Sequence, residues 1–215
     1  MLPNEACGDV YKRIVLTGGP GAGKTAALEL ARLHVCEHVA ILPESASMLF
    51  QGRFPRSPEP EVRRAAQRAI YHVQRELETA TAAMAHVTIL LCDRGTVDGA
   101  AYWPGPDTLW SAVGTTRDAE IARYDTVIHM RTPERHAYNH DNPVRIETSA
   151  EAARIDARIA EVWSGHPNYA VVPSTESFVT KAEHALSLIL AELPRCCPKT
   201  HAAHRFQPQA ERSPP

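Results

Sequence analysis

The chain has 215 residues, 44% of them hydrophobic and 22% charged, which suits one globular domain with a sizeable core. Its formal net charge is −2, from 23 Lys+Arg against 25 Asp+Glu, so no overall basic field points to nucleic acid as a partner. The five cysteines include no CxxC pair, and Cys36 and Cys92 fall in segments that read as core, which fits a reducing cytoplasm better than a disulfide scaffold. Met1 to Asp9 carries neither a cationic nor an apolar signal region, and the longest apolar run, around Val87 to Cys92, is too short to span a bilayer. Secretion and membrane insertion are not expected.

From there onward, strand and helix character alternate. Arg13 to Thr17 is a β-branched run that stops at Gly18-Gly19-Pro20-Gly21, which predicts a buried strand entering a loop. Lys24 to about His34 is helical in pattern, with Ala27, Leu28, Ala31 and Val35 on one face. His38 to Leu42 predicts a second strand ended by Pro43, and the Pro/Arg-rich stretch from Gly52 to Pro60 a loop. The strongest helix signal runs from about Glu61 to Met84. Val62, Ala66, Ala69, Val73, Leu77, Ala80 and Met84 recur there at steps of three and four and define the expected buried face.

Val87 to Cys92 and Tyr124 to Met130 read as strands buried on both faces. Thr148-Ser-Ala-Glu151 is a capping box opening a helix that carries Ile155, Ile159 and Val162. Tyr169 to Pro173 is a fifth strand and Phe178 to Leu193 a final amphipathic helix. Together these predict an α/β fold, a five-stranded parallel sheet with helices on both faces. The expected organisation is an N-terminal extension over 1–10, one domain over 11–193 with a lid at about 131–165, and a disordered proline-rich tail over 194–215.

Gly18-Gly19-Pro20-Gly21-Ala22-Gly23-Lys24-Thr25 matches GxxxxGK[ST] in full, with a strand before it and a helix after it. Glycines let successive backbone N–H groups turn inward toward phosphate oxygens. The helix beginning Lys24-Thr25-Ala26 presents its amides and positive dipole end to the same anion. Lys24, expected on an exposed loop, would reach the β- and γ-phosphates, and the Thr25 hydroxyl would ligate Mg²⁺. The motif predicts binding of a nucleoside triphosphate, ATP or GTP.

Leu90 to Thr96 places Asp93 where an apolar strand meets the rim of the sheet, the end at which ligands collect. Asp93 is expected to face the Mg²⁺–phosphate site as a second metal ligand, with a turn-capping role as the alternative. Motor-type ATPases follow this acid with a glutamate, and signalling GTPases carry NKxD; here Arg94 follows and NKxD is absent. An Asp-Arg pair is similar instead to P-loop kinases of nucleosides and nucleotides, where it contacts metal and acceptor. Glu44 follows the second strand, where it would sit near the acceptor hydroxyl or simply cap the helix beginning at Ser45.

Phosphoryl transfer to a small molecule must exclude water, so such kinases close a lid bearing arginines. Arg131, Arg135, Arg145, Arg154 and Arg158 occupy the interval between the fourth and fifth strands, and Arg154 and Arg158 share a helix face at i,i+4. A solvated helix face is the bland alternative. Gln67, Arg68 and Tyr71 are candidates for an acceptor pocket or for the outer face of a packed helix. Trp103, Trp110 and Trp163 read as packing residues, and the eleven histidines form no zinc pattern.

Thr17 to Thr25, Pro43-Glu-Ser-Ala46, Cys92-Asp-Arg-Gly-Thr-Val-Asp-Gly99 with Tyr102-Trp103-Pro104, and Tyr124-Asp-Thr-Val-Ile-His129 resemble, in order and spacing, one group of AAA-type domains. Asn142 to Glu147, Ala152-Ala-Arg-Ile-Asp156, Trp163 and His166-Pro167 extend the resemblance to roughly residues 11 to 193. That group includes the ribosylnicotinamide kinase portion of the bacterial NAD regulator and an insect protein concerned with TRP-channel trafficking. The resemblance implies a kinase-like P-loop core, ATP or GTP with Mg²⁺, and a small-molecule or lipid-headgroup ligand. The leading expectation is a kinase of a small hydroxyl-bearing metabolite, nucleoside-like, with Lys24, Glu44, Asp93, Arg94, Arg154 and Arg158 carrying the chemistry. The alternative is a nucleotide-binding regulatory module without kinase activity.

Overall fold

The apolar runs become five short strands: β1 (Lys12–Thr17), β2 (Val39–Leu42), β3 (Ile89–Asp93), β4 (Thr126–Met130) and β5 (Tyr169–Val172). All are parallel, in the order β2-β3-β1-β4-β5. These are seen in a computed structural model that describes residues 11–84, 86–133, 148–174 and 177–193. The period of two along each strand divides the core into two layers. Ile14 and Leu16 of β1, Ile89 and Leu91 of β3, and Ile128 and Met130 of β4 face one layer. Val15, Leu90, Cys92 and Val127 face the other.

Helices α1 (Lys24–Arg32) and α8 (Phe178–Glu192) close the first layer through Ala27, Leu28 and Ala31 and through Ala185, Leu186 and Ile189. The second layer is closed by Leu77 of α3 (Pro60–Ala82), by Val97 and Ala101, and by Ile159 of α7 (Ser149–Val162) with Trp163. Helices thus cover both faces. After the adjacent strands β1 and β3 the chain departs to opposite faces, which opens a crevice at their carboxyl ends. The register sets Leu16 beside Asp93, so the glycine loop after β1 and the Asp93-Arg94 pair meet at that crevice.

The capping box at Thr148 is present: its hydroxyl accepts from Glu151 N at 3.2 Å while the Glu151 carboxylate accepts from Thr148 N at 2.8 Å. Four short helices had no clear periodic signal: α2 (Ser45–Gln51), α4 (Gly99–Tyr102), α5 (Leu109–Val113) and α6 (Arg117–Ile121). The expected extension over 1–10, the tail over 194–215 and the lid segment 134–147 lie outside the described residues.

The buried face of α3 differs from the apolar stripe. Ala80 is exposed and Met84, just past the helix, is 51% exposed, whereas Tyr71, Gln74 and Glu78 are buried. The reason is a polar network beneath the crevice. Gln74 accepts from the Ser45 hydroxyl at 2.7 Å and donates to Glu78 at 2.9 Å. Glu78 accepts from Tyr124 Oη at 2.8 Å and pairs with Arg123, which reaches Glu120 at 2.9 Å. Glu120 also accepts from Thr96 at 2.7 Å and Tyr71 at 2.8 Å. Burial pushes the Glu120 carboxyl up, but these bonds together hold it below its ordinary value. Buried polar groups cost little only when every partner is present.

Glu78→Ala would strip Gln74, Tyr124 and Arg123 of a fully buried partner and should cost roughly 3 kcal/mol or more. Glu76→Ala, on the exposed side of the same helix, should cost under about 0.5 kcal/mol. Urea unfolding of both variants checks this; equal midpoints would show that the network adds nothing.

Candidate active site

The glycine loop is pressed against β4 and α7. Gly18 has φ of 140°, and a Cβ there would collide with the Met130 carbonyl oxygen. Only glycine fits both conditions. The next amide, Gly19 N, donates to Asp156 Oδ1 of α7 at 3.0 Å. Asp156 also accepts from His129 Nε2 at 2.8 Å and pairs with Arg131 Nε at 3.1 Å. Burial pushes its carboxyl up, but His129, the Gly19 amide and Arg131 hold it below the ordinary range. Pro20 to Ala26 line the mouth of a cleft, with Thr25 exposed on it.

Lys24 corrects an expectation. It is not an exposed loop residue but only 9% accessible. Its ammonium folds back over the loop and donates to the carbonyls of Gly18 at 3.2 Å and Gly19 at 3.5 Å. Burial pulls its pKa down and Arg94 adds to this, against Asp93, Glu44 and Asp98. Replacing Lys24 therefore disturbs the loop as well as any ligand it holds.

The second part of the site is built around Arg94, which takes a left-handed backbone (φ 72°) directly after β3 and donates its N–H to Leu16 O at 3.1 Å. That turn sends the guanidinium between two acids. Nε meets Glu44 Oε1 at 2.6 Å and Nη1 meets Asp98 Oδ1 at 3.1 Å. Asp98 also accepts from Gly95 N and from Trp163 Nε1, each at 3.1 Å, and from the Thr17 hydroxyl. Asp98 belongs to no catalytic pattern in the sequence; its place four residues after Arg94 is the one local signal for this pairing. Trp163 is core packing as expected, and it also fixes Asp98.

Glu44 stands at the N-cap position of α2 without capping it. Its carboxylate is held instead by Arg94 and the Ser47 hydroxyl. Burial pushes Glu44 up, yet the charges of Arg94 and Lys24 with these bonds bring it down to about 2. Asp93 differs: burial raises its pKa despite Lys24, and its buried Oδ1 has no hydrogen-bond partner. Asp93 is not among the residues that line the cleft.

The cleft has a volume of about 1280 Å³. Beyond the glycine loop and Arg94 it is bounded by Glu44, Ser45 and Phe50, by Arg63, Gln67, Tyr71 and Gln74 of α3, by Glu151, Arg154 and Arg158 of α7, and by Phe178. Of the proposed pocket trio, Gln67 and Tyr71 line it and Arg68 does not; the Tyr71 hydroxyl is engaged by Glu120. Arg154 and Arg158 are exposed on the cleft face with no ion pair within 4 Å among the described residues. Arg131 is tied to Asp156, and Arg135 and Arg145 lie outside the described residues.

Because folding lowers the Glu44 pKa from 4.5 to about 2, its stabilising contribution is complete above pH 4.5 and is lost as pH falls toward 2. Wild type should exceed Glu44→Gln in stability by roughly 2 kcal/mol at pH 7. The gap should narrow between pH 4.5 and 2, as read from urea midpoints across that range. A gap independent of pH would contradict the ion pair.

Residues 13–179 match the AAA domain family. No curated protein matches the chain. Among solved structures it is similar to the NadR protein in complex with NR, with TM-score 0.64 and 12% identity over 84% of this chain and 51% of that one. The chain thus spans about half the length of that protein. It is also similar to deoxyadenosine kinase from M. mycoides, solved with the products dCMP and dCDP bound, with TM-score 0.54 and 12% identity over 83% and 99%. At 12% identity these likenesses establish the shared fold. Among the described residues, no helix is long and apolar enough to cross a membrane. The family match takes in both the glycine loop and the Glu44–Arg94–Asp98 arrangement, and the chain belongs to the AAA domain family.

Proposed function

We propose that this protein is a P-loop kinase that moves the γ-phosphoryl group of ATP or GTP to the hydroxyl of a small, nucleoside-like acceptor. The observation that carries the reading is the Glu44–Arg94 ion pair at 2.6 Å, set in the same cleft as the glycine loop. Glu44 is held anionic in that cleft by the charges of Arg94 and Lys24, the state that lets a carboxylate accept an acceptor hydroxyl's proton or hydrogen bond. The deoxyadenosine kinase likeness, which covers 99% of that chain, supports the same reading.

In the proposed transfer, the loop amides and Lys24 hold the β- and γ-phosphates, with Lys24 exchanging its bonds to Gly18 and Gly19 for phosphate oxygens. The acceptor hydroxyl donates to Glu44. Its oxygen bonds to the γ-phosphorus as the bond to the bridging oxygen breaks, and its proton passes to Glu44. A carboxylate with a pKa near 2 is a weak base, so Glu44 acts chiefly by orienting the hydroxyl and takes the proton late. Phosphoryl transfer through a loose transition state asks for little more than that.

The residues suit a magnesium ion. Two cations, Lys24 and Arg94, stand among three carboxylates, Glu44, Asp93 and Asp98, and one buried Asp93 oxygen has no partner. Magnesium at a nucleotide is held mainly by phosphate oxygens and water, with one or two protein oxygens completing its shell. Thr25 and Asp93 would hold Mg²⁺, which supplies charge neutralisation at the transferring phosphoryl group. Arg154 and Arg158 extend that neutralisation from α7, the described part of the proposed lid. A cytoplasmic setting accords with Cys92, which is buried as a thiol rather than paired in a disulfide.

The direct experiment is a thermal-shift screen of ATP and GTP with candidate acceptors, followed by phosphoryl-transfer assays on the hits. Nucleotide binding without transfer to any hydroxyl acceptor would favour the regulatory alternative. With an acceptor in hand, Asp93→Asn should lower turnover far more than nucleotide affinity, because the metal's charge counts most as the phosphoryl group departs. Wild-type turnover in that variant would reduce Asp93 to a strand terminator. Arg154→Ala and Arg158→Ala should each lower turnover roughly a hundredfold, about 3 kcal/mol in barrier, with a much smaller change in nucleotide affinity. Lysine at either position should rescue only partly, since it lacks the bidentate fork. Unchanged turnover in both alanine variants would remove α7 from the mechanism.

A further inference from the structure

Phe178 has no part in the transfer just described, yet it lines the same cleft. It is the first residue of α8 and is 62% exposed. Its ring carbons lie 3.3 and 3.9 Å from where a Cβ on Gly23 would stand, so the ring abuts the glycine loop. Single exposed apolar side chains are ordinary on a protein surface. This one is an aromatic face left open to water at the edge of an anion-binding loop.

Strand order tells which end of a nucleotide would meet it. All five strands are parallel, so the loops at their carboxyl ends share one rim of the sheet. Glu44 and Arg94 follow β2 and β3, on one side of β1. Phe178 follows β5, the outermost strand on the other side. A triphosphate held after β1 with its transferable end toward Glu44 must run its nucleoside end the other way, toward β4 and β5.

We propose that Phe178 is the platform on which the base of the bound nucleoside triphosphate stacks. This rests on the phosphate-loop reading given above. Stacking uses the π-face of a base rather than its hydrogen-bonding edge, so the platform accepts ATP and GTP alike.

The test separates base from phosphates. Calorimetric titrations of magnesium ATP and of magnesium tripolyphosphate, which has no base, are run on wild type, Phe178→Ala, Phe178→Trp and Val179→Ala. Val179 is equally exposed, at 62%, but lies outside the cleft lining. Phe178→Ala should weaken ATP roughly five- to a hundredfold, the range that removal of a stacking ring gives, and leave tripolyphosphate unchanged. Phe178→Trp should keep ATP affinity within a few fold, and Val179→Ala should alter neither ligand. Unchanged ATP affinity in Phe178→Ala overturns the proposal. So does an equal loss for both ligands, which would make the ring a support for Gly23. Wild type that binds neither ligand overturns the phosphate-loop reading itself, and the platform with it.

Discussion

Two cations, Lys24 and Arg94, stand among three carboxylates, Glu44, Asp93 and Asp98, at the carboxyl rim of a parallel sheet. The arrangement depends on the left-handed backbone of Arg94, because only that turn brings its guanidinium back between residues from two separate segments. A non-glycine residue in that conformation costs energy, which the surrounding bonds must offset. They do so through Asp98, which draws in Thr17 at the end of β1, Gly95 on the turn and Trp163 beyond α7. Removing Arg94 would leave Glu44 and Asp98 without their shared cation, with Glu44 held by the Ser47 hydroxyl and Asp98 by Thr17, Gly95 and Trp163.

The polar network under α3 explains how the acid ends reach the site. Ser45 follows Glu44 directly, and its hydroxyl is anchored by Gln74, then Glu78, then Tyr124 and Arg123. Tyr124 in turn accepts from Thr96 N at 2.8 Å, two residues beyond Arg94. One buried chain of hydrogen bonds therefore supports both halves of the Glu44–Arg94 pair from below. Such a chain can rigidify a site without touching a ligand, provided each member is satisfied.

What the sequence makes legible follows from which signals are local. The β-branched runs and the Thr148 capping box each depend on a few consecutive residues and form as read, and the glycine loop joins β1 to α1. The pairing of Glu44 with Arg94 spans fifty positions, and only the shared strand-end placement hinted at it. Periodicity misplaces the inner face of α3 because it counts apolar residues, whereas Gln74 and Glu78 are buried by partners far along the chain. The fold of Lys24 over its own loop carries no sequence signature. Its side chain finds the nearest carbonyls, and those are backbone groups of Gly18 and Gly19.

Helix α7 shows how one element can serve both packing and cleft. Ala152, Asp156 and Ile159 recur at steps of four and three and are buried. The Asp156 carboxylate meets the Gly19 amide, and the Ala152 carbonyl is one of the atoms that a side chain at Gly19 would strike. That face holds the helix against the glycine loop at its second turn. Arg154 and Arg158, offset by two positions from Ala152 and Asp156, are then carried onto the cleft side by the 3.6-residue period alone. Their long side chains remain exposed and without ion pairs among the described residues. The buried face fixes where the helix lies, and that position is what sets Arg154 and Arg158 on the wall of the cleft that the glycine loop also borders.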